Sequence, residues 1–251
     1  MEQVAEQIIT RHRHELKRRE LTVTSVERLT PHMLRLTFTG EDLADFTSLA
    51  PDDHIKLLLP GDGDKPEMRD YTPRSFDIAR RELVVDFAIH DAGPATAWAL
   101  DAKNGDTLMV GGPRGSAVVA PIFDWWMLIA DETGLPAMGR WVEELPEGTQ
   151  AITLGAVPGA EDQQDWTTKA SHEAHWVHRP VAQAADSAPL LDAAQELALP
   201  EGRGFIWIAA EAKVARALRD HFESRGHPRT QIKAAGYWIM GQADSSDKAL
   251  D

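Results

Sequence analysis

Arg69-Asp70-Tyr71-Thr72-Pro73-Arg74 gathers two guanidinium groups, an aromatic ring and a hydroxyl within six residues. An arginine fork matches phosphate oxygens at two points in one plane, which a lysine cannot do. A tyrosine face can stack on a flat heterocycle. A threonine hydroxyl can donate to, or accept from, a ring nitrogen. The set suits a ligand that is anionic at one end and aromatic at the other, as a flavin nucleotide is. The same residues would also serve as a strand end carrying surface arginines.

Three further segments bear on that choice. His90-Asp91-Ala92-Gly93-Pro94-Ala95-Thr96-Ala97-Trp98 follows an alternating apolar stretch at 83–89. Pro94 suits the first position of a helix. A helix amino terminus offers free N–H groups and a positive dipole end to a pyrophosphate. Thr96 adds a hydroxyl, and His90, directly before the turn, reads as a cofactor contact. An ordinary strand–turn–helix with a packed Trp98 has the same pattern. Gly111-Gly112-Pro113-Arg114-Gly115-Ser116 permits close backbone approach and adds a charge at Arg114, but has neither dinucleotide nor Walker spacing. Asp131-Glu132-Thr133-Gly134-Leu135-Pro136-Ala137 follows a continuous apolar run at 125–130. Ligands of open parallel sheets bind beyond the carboxyl ends of strands, so Thr133 and Gly134 stand where a nicotinamide or its pyrophosphate would enter. A plain strand–helix connection would use the same residues.

Other candidates are weaker. His172, His175 and His178 recur every third residue, but in a strand that step alternates faces, so a solvated edge is expected in place of a metal site. Lys56 shares a strand face with His54, and Lys233 precedes Gly236-Tyr237-Trp238. These lysines read as surface groups unless both converge with Arg114 on an aromatic site.

The elements that must position these groups fall into two rhythms. Residues 16–120 read as short alternating strands (21–26, 33–38, 54–59, 83–89 and 107–110) separated by Gly, Pro and Asn turns, which indicates an antiparallel barrel or sandwich. The amino terminus reads as a frayed helix leading into the first strand. From 121 to 241 strands at 125–130, 151–157, 175–177, 205–209 and 231–234 alternate with helical stretches, which indicates a parallel sheet with crossovers. Residues 242–251 read as a disordered polar tail. The length of 251 residues suits one large domain or two, and 43% apolar content supports a core. A formal charge of -14 repels nucleic acid and anionic lipid, and makes any anionic substrate depend on a local basic pocket. With no long apolar run and no apolar leader, no membrane span is expected and the cytoplasm is the default compartment. With no cysteine, thiol chemistry and thiolate clusters are excluded, so electron transfer would need a bound organic cofactor. Nothing in the sequence bears on oligomeric state.

With Arg69 to Arg74, His90 through Trp98, Gly112 to Ser116, Asp131 to Ala137 and Gly236-Tyr237-Trp238 in this order, nearly the whole chain resembles the siderophore-interacting proteins, flavin-dependent ferric-chelate reductases of the ferredoxin-reductase-like group. The resemblance implies a β plus α/β chain: a six-stranded antiparallel barrel binding FAD, then a parallel-sheet α/β domain binding NADPH, with NADH as an option. It implies that Tyr71 stacks near the flavin ring, Thr72 bonds the reactive ring edge, and Arg69 and Arg74 hold the pyrophosphate region. His90, Ala95, Thr96 and Trp98 would complete the FAD site, with Arg114 and Ser116 close by and Tyr237 and Trp238 at the cofactors. Thr72 and Thr133 would flank the reacting atoms, with Thr133 and Gly134 where the nicotinamide enters. Lys56, Arg114 and Lys233 would hold a ferric siderophore or other ferric chelate. Two departures stand out. Ile239-Met240-Gly241 replaces an arginine-rich segment found in many members, and the loop Pro158-Gly159-Ala160-Glu161-Asp162-Gln163 is acidic where a 2′-phosphate wants a cation, leaving Arg179 as the candidate. A flavin-loaded siderophore carrier and a reductase of a small electron-transfer protein are the alternative functions.

Overall fold

The structure is a computed structural model and describes residues 7–61, 66–89, 93–242 and 246–247. His90 lies outside the described residues.

The first half runs β1 (Ile9–Arg13), β2 (Arg18–Thr30), β3 (Met33–Thr39), β4 (Ile55–Leu59), β5 (Glu67–Tyr71), β6 (Ser75–Asp77), β7 (Glu82–Ala88), α1 (Pro94–Asp101), β8 (Thr107–Gly111) and β9 (Gly115–Val119). Period-two alternation turns Leu34, Leu36 and Phe38 of β3, and Ile55, Leu57 and Leu59 of β4, into one core with Leu21, Val85 and Phe87. The sheet is antiparallel, with seven strands in the order β5-β4-β8-β2-β3-β7-β6. Its two edges, β5 and β6, are consecutive in the chain and joined only by Thr72-Pro73-Arg74. The sheet therefore curls until its edges meet in one bent ribbon. Counted as one, 67–77 reduces the seven strands to the six expected. Pro73 causes the interruption, because it has no N–H for the ladder. Arg74 resumes pairing, its N–H donating to Val84 O at 2.8 Å. The amino terminus corrects the sequence expectation. Among its described residues, from 7 onward, there is no helix but the strand β1, antiparallel to β9 with Arg13 opposite Gly115. Ile8 and Ile9 pack on the core of the second half, and this pins the strand.

The second half runs β10 (Trp125–Ala130), α2 (Leu135–Glu144), β11 (Gln150–Val157), β12 (Ser171–His178), α3 (Ala188–Glu196), β13 (Gly204–Glu211), α4 (Ala212–Ser224) and β14 (Ile232–Trp238). All five strands are parallel, in the order β12-β11-β10-β13-β14. β10 is buried along its whole length, and its alternate residues serve opposite faces. Trp125, Met127 and Ile129 meet α3 and α4, while Trp126, Leu128 and Ala130 meet α2. Glu211 starts α4 by accepting Lys213 N–H at 2.6 Å and Val214 N–H at 3.3 Å. The strand order reverses between β10 and β13, and the loops leaving their carboxyl ends part there to form a crevice.

His172, His175 and His178 lie on the edge strand β12 and do not converge; among the described residues no group of side chains could hold a metal ion. The tail differs from expectation at Asp247, which exchanges backbone hydrogen bonds with Gly236 at 2.7 and 2.8 Å and pairs with Arg216 at 3.0 Å. Among the described residues no helix is long and apolar enough to cross a membrane.

Candidate functional site

On the barrel side, β5 ends by presenting Tyr71, whose ring lies 4.5 Å from Phe87 at a tilt of 40°. Burial pushes the Tyr71 phenol well above the ordinary tyrosine range, so it remains a proton-bearing donor. Trp98 of α1 lies 6.3 Å from both Phe87 and Phe38. Tyr71, Phe87 and Trp98 thus make a partly open aromatic floor. Arg69 donates to Met68 O at 2.9 Å and to Glu67 Oε2 at 2.8 Å. Thr72 is buried at the turn after Tyr71. α1 begins at Pro94, and among the described residues no side chain caps its first N–H groups. Ala95 packs into the barrel core, and Thr96 is buried, its hydroxyl donating to Ala88 O at 3.4 Å.

Arg74 is turned toward the second half. Its two terminal nitrogens grip Glu143 of α2 at 2.6 and 2.7 Å. Its Nε is buried without an acceptor, 3.7 Å from Asp86 Oδ2. Ser116 is an internal post: its hydroxyl donates to Asp53 Oδ2 at 2.5 Å, accepts Leu49 N–H at 3.1 Å and lies 2.7 Å from His14 Nε2. Arg114, two residues earlier, is exposed.

On the parallel-sheet side, Asp131 organises the crevice. This 1% exposed carboxylate accepts the Thr133 N–H (2.9 Å) and hydroxyl (2.6 Å) on Oδ1, and the Glu211 N–H (2.9 Å) and Trp238 indole N–H (2.8 Å) on Oδ2. It therefore ties together the carboxyl ends of β10, β13 and β14. Gly134 is required by proximity: a Cβ there would lie 2.6 Å from Ala209 O and 2.8 Å from Ala130 Cβ. Tyr237 stands edge-on to Trp207 at 6.3 Å. Arg179, the candidate cation for a 2′-phosphate, is closed on Glu132 by a fork at 2.7 and 2.8 Å. Burial raises the Glu132 pKa, with Asp131 adding to the rise and Arg179 opposing it.

Lys233 reaches across from β14 to Ala117 O at 3.3 Å, and Lys56 sits opposite Gly111 on β8, so both flank the 111–117 turn that carries Arg114. Each lysine also holds an acid: Lys233 is 2.6 Å from Asp52 Oδ2, and Lys56 is 3.0 Å from Asp70 Oδ1. Sequence reasoning did not single out Asp52, Asp131 and Glu143. Asp131 alone had a usable signal, as the first residue after a buried parallel strand. Asp52 and Glu143 sit in the acidic pairs Asp52-Asp53 and Glu143-Glu144, and the partners that give them a role are distant in sequence.

A flavin dinucleotide fits these residues. The floor offers a partly open ring face, α1 an uncapped start, and Arg74 an orphaned buried Nε. A curled antiparallel sheet followed by a parallel-sheet crevice defines the class, a two-domain flavin–nicotinamide oxidoreductase. Residues 22–67 and 60–117 match the siderophore-interacting FAD-binding domain, and 123–241 match the siderophore-interacting protein family. The chain is 35% identical over 249 residues to the NADPH-dependent ferric-chelate reductase of Escherichia coli (strain K12), covering 91% of this chain and 95% of that protein. A siderophore utilization protein from T. fusca superposes with a TM-score of 0.90 at 34% identity, over 96% of this chain and 100% of the other. The siderophore-interacting protein SipS from Aeromonas hydrophila superposes at 0.78 with 29% identity, over 93% and 94%. The chain belongs to the siderophore-interacting protein family.

Proposed function

We propose that this chain is a cytoplasmic ferric-chelate reductase that uses FAD to pass electrons from NADPH to chelated Fe(III), releasing Fe(II). The observation that carries the reading is the 35% identity, spanning both halves, to an NADPH-dependent ferric-chelate reductase. Bound FAD supplies acceptance of a hydride and delivery of its electrons one at a time. A nicotinamide brings a pair of electrons and each ferric centre takes one, so each NADPH serves a pair of ferric ions and releases a proton. Ferrous iron binds hard oxygen ligands less tightly, so reduction loosens the chelate.

In this reading Tyr71 and Trp98 supply the floor for the flavin ring, and Thr72 bonds its edge. Arg69 and the start of α1 receive the pyrophosphate, and Arg74, whose terminal nitrogens are held by Glu143, has only its Nε to offer. Thr133, held by Asp131, faces the entering nicotinamide beside Gly134, with Tyr237 and Trp238 closing the crevice. A 2′-phosphate would compete with Glu132 for the Arg179 fork, so NADH is the comparison cofactor. Lys56, Arg114 and Lys233 border the place for the chelate.

Stopped-flow absorbance tests this. Purified yellow protein mixed anaerobically with NADPH should bleach, and a ferric chelate should restore the colour while a ferrous trap develops. Chelate binding without bleaching would make the protein a carrier. Reoxidation only by a small electron-transfer protein would make it a reductase of that partner.

A further inference from the structure

The basic side chains bordering the chelate site are unequally available. Lys233 Nζ lies 2.6 and 2.9 Å from the two oxygens of Asp52, and Asp52 is also clamped by the Trp207 indole N–H at 3.0 Å. The Asp52 side chain is 8% exposed, so solvent screens this pair little. Lys56 is paired with Asp70. Arg114 is exposed and pairs with no acid among the described residues. Tyr237, four residues beyond Lys233, registers the local field: burial, then Asp52, Asp53, Asp131 and Asp70, hold its phenol well above the ordinary range. Ile239-Met240-Gly241 adds no positive charge beside it. Asp52 and Asp70 thus cancel the two lysines and leave Arg114, among the described residues, as the unneutralised cation bordering the site, on a chain whose net charge is -14.

Resting on the reductase reading above, we propose that Asp52 sets the charge class of the substrate: by neutralising Lys233 it makes an uncharged ferric tris-hydroxamate a better ligand than a trianionic ferric tris-catecholate. Three hydroxamates balance the charge of ferric iron, whereas three catecholates leave a trianion. At a separation of about 8 Å in a water-like dielectric and at low ionic strength (about 0.01 M), one carboxylate charge changes the affinity of a trianion about tenfold and that of an uncharged chelate hardly at all.

The test is equilibrium titration of the FAD-loaded protein, followed by fluorescence quenching, with a ferric tris-hydroxamate and a ferric tris-catecholate. The native protein should prefer the hydroxamate by about tenfold or more. Asp52→Asn keeps an acceptor for Trp207 but releases the lysine charge. It should tighten the catecholate about tenfold, leave the hydroxamate within about twofold, and lose most of its gain at high salt. Asp70→Asn, which releases Lys56, provides the same readout if Asp52→Asn fails to retain flavin. Equal or tighter catecholate binding by the native protein, or a catecholate affinity unmoved in the flavin-loaded variants, overturns the inference. A protein that neither binds nor reduces either chelate overturns the reductase reading itself, and this inference with it.

Discussion

Asp131→Asn is the most incisive single perturbation, because it changes one buried atom and keeps the shape. The carboxylate accepts four donors. An amide has one acceptor oxygen, so its NH2 must face one of the two donor pairs. Facing Glu211 N–H and the Trp238 indole N–H, it would leave two buried donors opposed. Facing Thr133, it could donate to the hydroxyl, which rotates to accept, and only the Thr133 N–H is orphaned. The second orientation therefore wins. Its cost is one orphaned buried donor, about 1–3 kcal/mol, plus the loss of charge assistance on the remaining bonds. A total of about 2–4 kcal/mol corresponds to a fall in Tm of about 5–15 °C for a chain of this size. Circular dichroism melting of the FAD-loaded protein measures it. The same variant should slow flavin bleaching by NADPH while leaving reoxidation by a ferric chelate unchanged, since only the Thr133 loop, the proposed nicotinamide entry, is loosened. A Tm within about 1 °C of native would show that the carboxylate does not hold the three strand ends together.

Three further outcomes are expected. Glu143→Gln weakens the grip on the buried Arg74 fork and should cost about 1–3 kcal/mol, read as a fall in Tm of about 3–10 °C. Tyr71→Ala removes a partly buried ring of the aromatic floor and should weaken FAD about tenfold or more, whereas Tyr71→Phe should keep it; flavin retained per protein after gel filtration distinguishes them. Burial lowers the pKa of His172, His221 and His227 below the unfolded value of about 6.5. Between the folded and unfolded values the unfolded chain binds more protons, so stability rises with pH through that window and is lost as pH falls below about 6.5. Melting at a series of pH values should show the slope, and His227→Gln should flatten it.

The strands of the barrel core were legible because burial on one side writes a period of two, as in Leu34, Leu36 and Phe38. The parallel sheet was legible because burial on both sides writes unbroken apolar runs, as in Trp125–Ala130. β1 was missed for the complementary reason. Ile-Thr-Arg-His-Arg is almost wholly exposed, and backbone pairing with β9 makes it a strand. β5 and β6 were hidden by Pro73 and by their polar composition, although the segment was recognised as chemically special. The site was legible as donors: arginines, threonines and an uncapped helix start announce what they can bind. Their internal acceptors were not. That Arg74 meets Glu143, Arg179 meets Glu132 and Lys233 meets Asp52 depends on tertiary approach between distant segments, which carries no local pattern.

Those pairs share a geometry that bears on catalysis. Arg74 follows the turn proposed to bond the flavin edge, and Glu143 lies on α2, the helix that starts at the proposed nicotinamide loop. Arg140, one turn earlier on α2, donates to the Pro73 carbonyl of that same turn at 3.1 Å and to Ser48 at 2.9 Å. Asp162, in the loop after β11, accepts both His32 N–H and its ring nitrogen at 2.9 and 2.8 Å. The two halves are therefore joined through directional polar contacts beside the turn and the loop proposed to hold the two cofactors. Apolar packing alone would allow one surface to slide over the other at little cost. A bidentate fork fixes distance and angle together, and a buried one is expensive to open. Hydride transfer falls steeply when the reacting atoms separate by a fraction of an ångström. The buried charge on the α2 contact thus has a physical role: it holds the start of α2 in register with the Thr72-Pro73-Arg74 turn, and so would hold the proposed nicotinamide loop in register with the proposed flavin turn.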